Sequence, residues 1–168
     1  TGAYVIREAF DDADDYHLPN MSWTVSQILF AAGDVSAQSM IADHSASLYR
    51  HCIRLTNYFS RYDQALDLSN VKRMGVAPRV GRIGLPDNTP HPAVNVDCTA
   101  YYEKLVEDAS DLAEQDQPYG FVGMKSHSWY FGNRAFTRDL FGVVIGEDRK
   151  LIATREVGPD GRIALKTP

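Results

Sequence analysis

Cysteine is scarce: Cys52 and Cys98 are the only two in 168 residues. That number excludes a disulfide scaffold, and the pair lacks the close spacing of a zinc site. Each lies in an apolar run and reads as a small buried thiol, which leaves the compartment open. Long apolar runs are missing too. No stretch approaches the ~20 residues that a membrane-spanning helix needs, because the greasiest segments, near Ile28–Ala32 and Phe141–Ile145, soon meet Gly and Asp. Positive charge is in deficit, with 17 Lys and Arg against 22 Asp and Glu and a net charge of -5. No general field gathers phosphates, so nucleic acid is not an expected partner. The cluster Lys72, Arg73, Arg79 and Arg82 is diluted by Gly and Pro, lacks interleaved aromatics, and reads as a solvated rim. The opening residues lead into Arg7, Glu8 and an acidic run, which is not the pattern of a secretory signal.

What remains is 44% hydrophobic, 11% aromatic and 23% charged, the make-up of a globular domain with a sizeable core. Apolar residues at helical spacing predict a helix over 3–10, ending in a polar loop from Asp11 to Asn20. Val25–Ala32 is short, apolar on both faces and closed by Gly33-Asp34, as a strand buried in a parallel sheet is. Residues 36–50 read as a crossover helix or two short ones. Ile53–Phe59 gives a second strand, and Gln64–Ser69 begins another helical turn. An irregular stretch from Pro78 to Pro92 precedes a third strand, Ala93–Val96. Tyr101–Gln115 has helix periodicity, a Gly/Pro break comes next at Pro118-Tyr119-Gly120, and a further helix ends near Ile145. Strand and helix in alternation predict an α/β fold with a mostly parallel sheet and helices on both faces. The domain spans 1–145, and 146–168 reads as a small C-terminal β-hairpin appendage around Gly158-Pro159-Asp160-Gly161.

In open α/β sheets the ligand site lies beyond the carboxyl ends of the strands. Asp34, Asp63 and Asp97 each come just after a predicted strand, where an aspartate either serves the site or caps the next helix. Among five histidines, His17 and His91 default to the surface, while His44 and His51 flank a helix and read as exposed or capping. His127 stands apart. Ser126 and Ser128 flank it, and Trp129-Tyr130-Phe131 comes immediately after, so it is a site histidine or a loop histidine held by a carbonyl.

The blocks Ile28-Leu29-Phe30-Ala31-Ala32-Gly33-Asp34-Val35, Tyr62-Asp63-Gln64-Ala65-Leu66-Asp67-Leu68-Ser69, Arg79-Val80-Gly81-Arg82-Ile83-Gly84, Val94-Asn95-Val96-Asp97 and Ser126-His127-Ser128-Trp129-Tyr130 occur in an order that resembles a branch of bacterial α/β-hydrolase-fold proteins of esterase or lipase type. The likeness covers about residues 1–140 and leaves out the hairpin. It implies a Ser-acid-His triad in that chain order, with Asp63 as acid and His127 as base, and Asp34 as a supporting acid or second choice. No Gly-x-Ser-x-Gly occurs in the chain. The opening Thr1-Gly2-Ala3-Tyr4 instead resembles the family's residues just after the nucleophile, which would place the serine immediately before Thr1 and make this the C-terminal part of a longer hydrolase. The backbone N–H of Thr1 then forms half of the oxyanion hole. The implied substrate is a small acyl compound, no cofactor and no metal are implied, and the expected partner is the N-terminal part of the same hydrolase. An open apolar sheet edge independently asks for such a partner. Trp129, Tyr130 and Phe131 line an acyl pocket or belong to the core.

Three other readings stay open. Thr1 itself serves as an N-terminal nucleophile, although that chemistry usually starts on a strand. A hydrolase-like domain without catalysis acts in binding or assembly, which the distance between Asp63 and His127 tests. A divalent cation sits among Asp34, Asp63, Asp97 and His127, although no two of them share a helix-turn spacing.

Overall fold

The computed structural model describes residues 2–16, 23–72, 77–109 and 126–168. Helix α1 (Gly2–Asp15) is succeeded by strand β1 (Val25–Ala31), 3-10 turns over Gln38–Met40 and Ala42–His44, and the short helix α2 (Ala46–Arg50). Strand β2 (Cys52–Phe59) leads into helices α3 (Gln64–Lys72) and α4 (Val80–Ile83). Strand β3 (Ala93–Asp97), helix α5 (Thr99–Ala109), a 3-10 turn over Trp129–Gly132, helix α6 (Arg134–Val144) and the hairpin β4 (Arg155–Val157) and β5 (Ile163–Leu165) complete the order.

The sheet runs β1-β2-β3-β5-β4. β1, β2, β3 and β5 are mutually parallel neighbours, and β4 alone is antiparallel. The fold is therefore α/β with a mostly parallel sheet. The terminal hairpin expected as an appendage is seated in that sheet, because β5 pairs with β3 at Val96↔Ile163 and Asp97↔Ala164.

Alternation along the strands divides the core in two. Ile28, Phe30 and Leu55 face one side and pack with Ala3 and Phe10 of α1, Leu48 of α2 and Val80 of α4. Tyr58, Val94 and Val96 face the other, packing with Tyr101 and Tyr102 of α5, Phe136 of α6 and the fully buried Trp129 and Tyr130.

The sequence pattern errs at two helices. α1 continues through Asp15, beyond the end expected at Phe10, because Asp14 gains partners in Ser47 and His51 and is no free loop carboxylate. The stretch from Pro78 to Pro92 is not wholly irregular, since α4 lies inside it. That turn is fixed by contacts distant in sequence: Val80 and Gly81 donate backbone hydrogen bonds to the carbonyls of Val35 and Gly33, and Ser60 donates to that of Gly81. Both cysteines are buried and free, as their apolar runs suggest. The expected break at Pro118-Tyr119-Gly120, His17, Arg73 and the end of the Tyr101–Gln115 helix beyond Ala109 lie outside the described residues.

Candidate active site

The carboxyl ends of β1 and β2 are bound together before any polar site residue appears. Gly81 sits so close to β1 that an added Cβ would stand 2.3 Å from the carbonyl carbon of Ala32. Only a residue without a side chain allows that approach. Ala32 itself has φ of 51°, a left-handed conformation costly for a residue with a Cβ and concentrated at functional turns. This knot places Asp34 just beyond β1 and the turn Ser60–Asp63 just beyond β2.

Asp63 is fully buried and uses both carboxylate oxygens. Oδ1 accepts from the backbone N–H of Leu66 at 3.0 Å, capping α3, and Oδ2 accepts from Nδ1 of His127 at 2.8 Å. This aspartate therefore caps α3 and contacts His127 with the same carboxylate. Ser126 assists from the histidine's side, its Oγ accepting from the backbone N–H of Gln64 at 3.0 Å. Two N–H groups of the first turn of α3, which a helix leaves without internal partners, thereby fix the acid and the histidine loop together. The loop is held from below as well. Trp129 stacks on Tyr130 at 4.3 Å and on Tyr101 at 5.6 Å, and both Trp129 and Tyr130 are core residues. They do not line an acyl pocket. Phe131, 77% exposed, does reach the cavity beside His127.

With Nδ1 donating to Asp63, the ring presents Nε2 as its basic nitrogen. The Asp63 hydrogen bond raises the pKa of His127 above its ordinary 6.5, partial burial opposes the rise, and the nearby charges of Asp63 and Asp34 add to it. His127 opens on a cavity of about 360 Å³. The amino end of α1 borders the same cavity at Gly2 and Ala3, with Ile6, Leu29, Phe136 and Leu140 supplying apolar walls. A larger cavity, about 900 Å³, runs along β3 and the hairpin and touches neither Asp63 nor His127.

The other candidates separate. Asp34 is not the partner of His127: its Oδ1 lies 3.1 Å from Nε of the buried Arg79 and 3.3 Å from Ser69 Oγ. It lines the same cavity as His127. Asp97 caps α5, accepting from the N–H of Thr99 at 2.8 Å. Among the described residues no three His, Cys, Asp or Glu side chains are grouped to hold a metal ion. Thr1 lies outside the described residues. Arg79 departs from the expected solvated rim, being buried against Asp34, whereas Arg82 stays partly exposed beside Asp67. His51 is the C-cap of α2, the second of its two expected readings, and its ring is buried between Asp14 and the carbonyl of Trp23 rather than exposed. Sequence pattern missed Ser126 as a positioning residue, and only its place beside His127 hinted at it.

A mostly parallel sheet with helices packed on it, and a buried carboxylate bonded to a histidine beyond the strand ends, are consistent with an α/β hydrolase. The family model described as Alpha/beta hydrolase of unknown function (DUF900) matches residues 1–99, and the chain belongs to that family. The match includes Asp63 and stops before His127. No curated protein and no solved structure matches the chain. No helix among the described residues is long and apolar enough to cross a membrane.

Proposed function

We propose that this hydrolase is a serine hydrolase of carboxylic esters or related acyl compounds, with His127 as general base and Asp63 as the residue that orients it. The observation that carries the reading is the 2.8 Å contact between Asp63 Oδ2 and His127 Nδ1. That bond fixes the tautomer whose Nε2 takes a proton from a hydroxyl, and the buried carboxylate then stabilises the imidazolium. The attacking hydroxyl is a serine immediately before Thr1. Support comes from α1, whose amino end borders the cavity into which His127 opens, as a nucleophile elbow requires.

Serine attack on the acyl carbon gives a tetrahedral adduct. His127 passes the serine proton to the leaving alcohol, and an acyl-enzyme remains. Water repeats the sequence through the same nitrogen and releases the acid. The N–H of Thr1 supplies one oxyanion donor, and the second comes from the N-terminal part of the same hydrolase, which pairs with β1. The apolar walls formed by Ile6, Leu29 and Leu140 suit an acyl chain. A non-catalytic binding role is less well supported, since it gives no reason for a histidine bonded to a buried acid at a cavity mouth. Thr1 as nucleophile is disfavoured because α1 is helical from Gly2 onward.

The test is covalent labelling of the complete protein with a fluorophosphonate and peptide mass spectrometry of the product. The adduct is expected on the serine preceding Thr1 and is expected to vanish in His127→Ala. An adduct on another residue, or labelling indifferent to His127, would overturn the assignment.

A further inference from the structure

A second cavity, about 430 Å³, adjoins the first across Asp34, which borders both. Tyr4, Arg7, Ser36, Ser39 and Arg79 form the rest of its wall. Arg79 is 3% exposed, and its guanidinium is only partly matched. Nε stands 3.1 Å from Asp34 Oδ1 without the alignment of a hydrogen bond, and the buried Nη2 has no acceptor among the described residues. Arg7 reaches the same cavity from α1. Its Nη1 donates to the carbonyl of His44, its Nη2 pairs with Glu8, and its buried Nε has no acceptor among the described residues. A buried N–H without an acceptor bears its full desolvation penalty until something supplies one.

We propose that this cavity binds a carboxylate carried by the substrate, so that the enzyme prefers acyl compounds with a terminal carboxylate. The inference rests on the function proposed above. A guanidinium fork matches the planar, two-oxygen geometry of a carboxylate. Asp34 and Glu8 already balance the formal charge of the two arginines, so the cavity offers spare N–H donors and no net positive charge, which suits a monoanion better than a doubly charged phosphate. Asp34 borders both cavities, so this group lies in the cavity next to the one that His127 borders. One molecule therefore presents its scissile carbonyl at His127 and its carboxylate at Arg79.

The experiment compares kcat/KM of the complete protein for 4-nitrophenyl butyrate and 4-nitrophenyl hemiglutarate. Glutarate and inorganic phosphate are titrated calorimetrically alongside, without turnover. The hemiglutarate ester is expected to win by about tenfold, and the advantage to disappear in Arg79→Gln. Glutarate is expected to bind wild type and about tenfold more weakly to Arg7→Gln, a partly exposed position that decides the matter if Arg79→Gln fails to fold. Equal rates on both esters together with no glutarate binding would overturn the carboxylate site and leave the hydrolase reading intact. Glutarate binding sensitive to Arg7 with no ester cleaved would uphold the site and sink the hydrolase reading. Phosphate binding more tightly than glutarate would overturn the carboxylate assignment.

Discussion

Asp63 carries two loads with one carboxylate, capping α3 through Oδ1 and holding His127 through Oδ2. A base works only when unprotonated, so kcat/KM falls on the acid side with an apparent pKa above 6.5, in the direction of the His127 shift. Asp63→Asn removes the leading cause of that shift. The acid limb of the pH–rate profile should move to lower pH while kcat drops by about 10³ to 10⁴. A limb that stays in place would show that Asp63 does not hold His127. The same pair affects stability with a definite sign. Because the folded protein favours protonated His127, the contribution is complete below pH 6.5 and fades as pH rises through the raised value. At this scale the sequence was legible where a polar residue comes directly after a strand, as at Asp63, whose place beyond β2 brings it to His127. It was not legible at Ser126, whose Oγ serves a backbone N–H 62 positions away, or at Trp129 and Tyr130, where adjacency to a histidine says nothing of burial.

Helix α4 and the hairpin hold the site elements in register. Gly81→Ala would drive a methyl into the backbone of Ala32 and Gly33. The variant should lose several kcal/mol, about the scale of severe overpacking, as read from the midpoint of urea unfolding. A midpoint within error of wild type would contradict the close approach. On the other face, Asp139 of α6 is fully buried. It accepts from Tyr58 Oη at 2.6 Å and from Thr154 Oγ1 at 2.7 Å, and pairs with fully buried Arg155 at 2.6 Å. Asp139→Asn leaves Arg155 buried and uncompensated, and the expected loss is about 3–5 kcal/mol in the same assay. A loss below about 1 kcal/mol, typical of a surface pair, would contradict the burial. Neither device was legible beforehand. Arg-Val-Gly-Arg-Ile-Gly reads locally as a loop, and its helical turn exists because two strand ends supply acceptors and donors for it.

Across the whole molecule the parallel arrangement of β1, β2 and β3 was legible because buried parallel strands are apolar on both faces and bounded by Gly and Asp. The seating of the hairpin was not, since a turn signal fixes β4 against β5 but not the neighbour that β5 then chooses. The architecture places one histidine at the rim of an apolar cavity bordered by the start of α1, and bonds it to one acid, far away in sequence, that is buried behind it. The central claim is that this pair drives acyl transfer. It is tested most directly by the hydrolysis of a short-chain chromogenic ester by the complete protein and by its His127→Ala variant. The account predicts turnover by wild type and a fall on the order of 10⁴ or more in kcat for the variant. Equal turnover by the two proteins would contradict it.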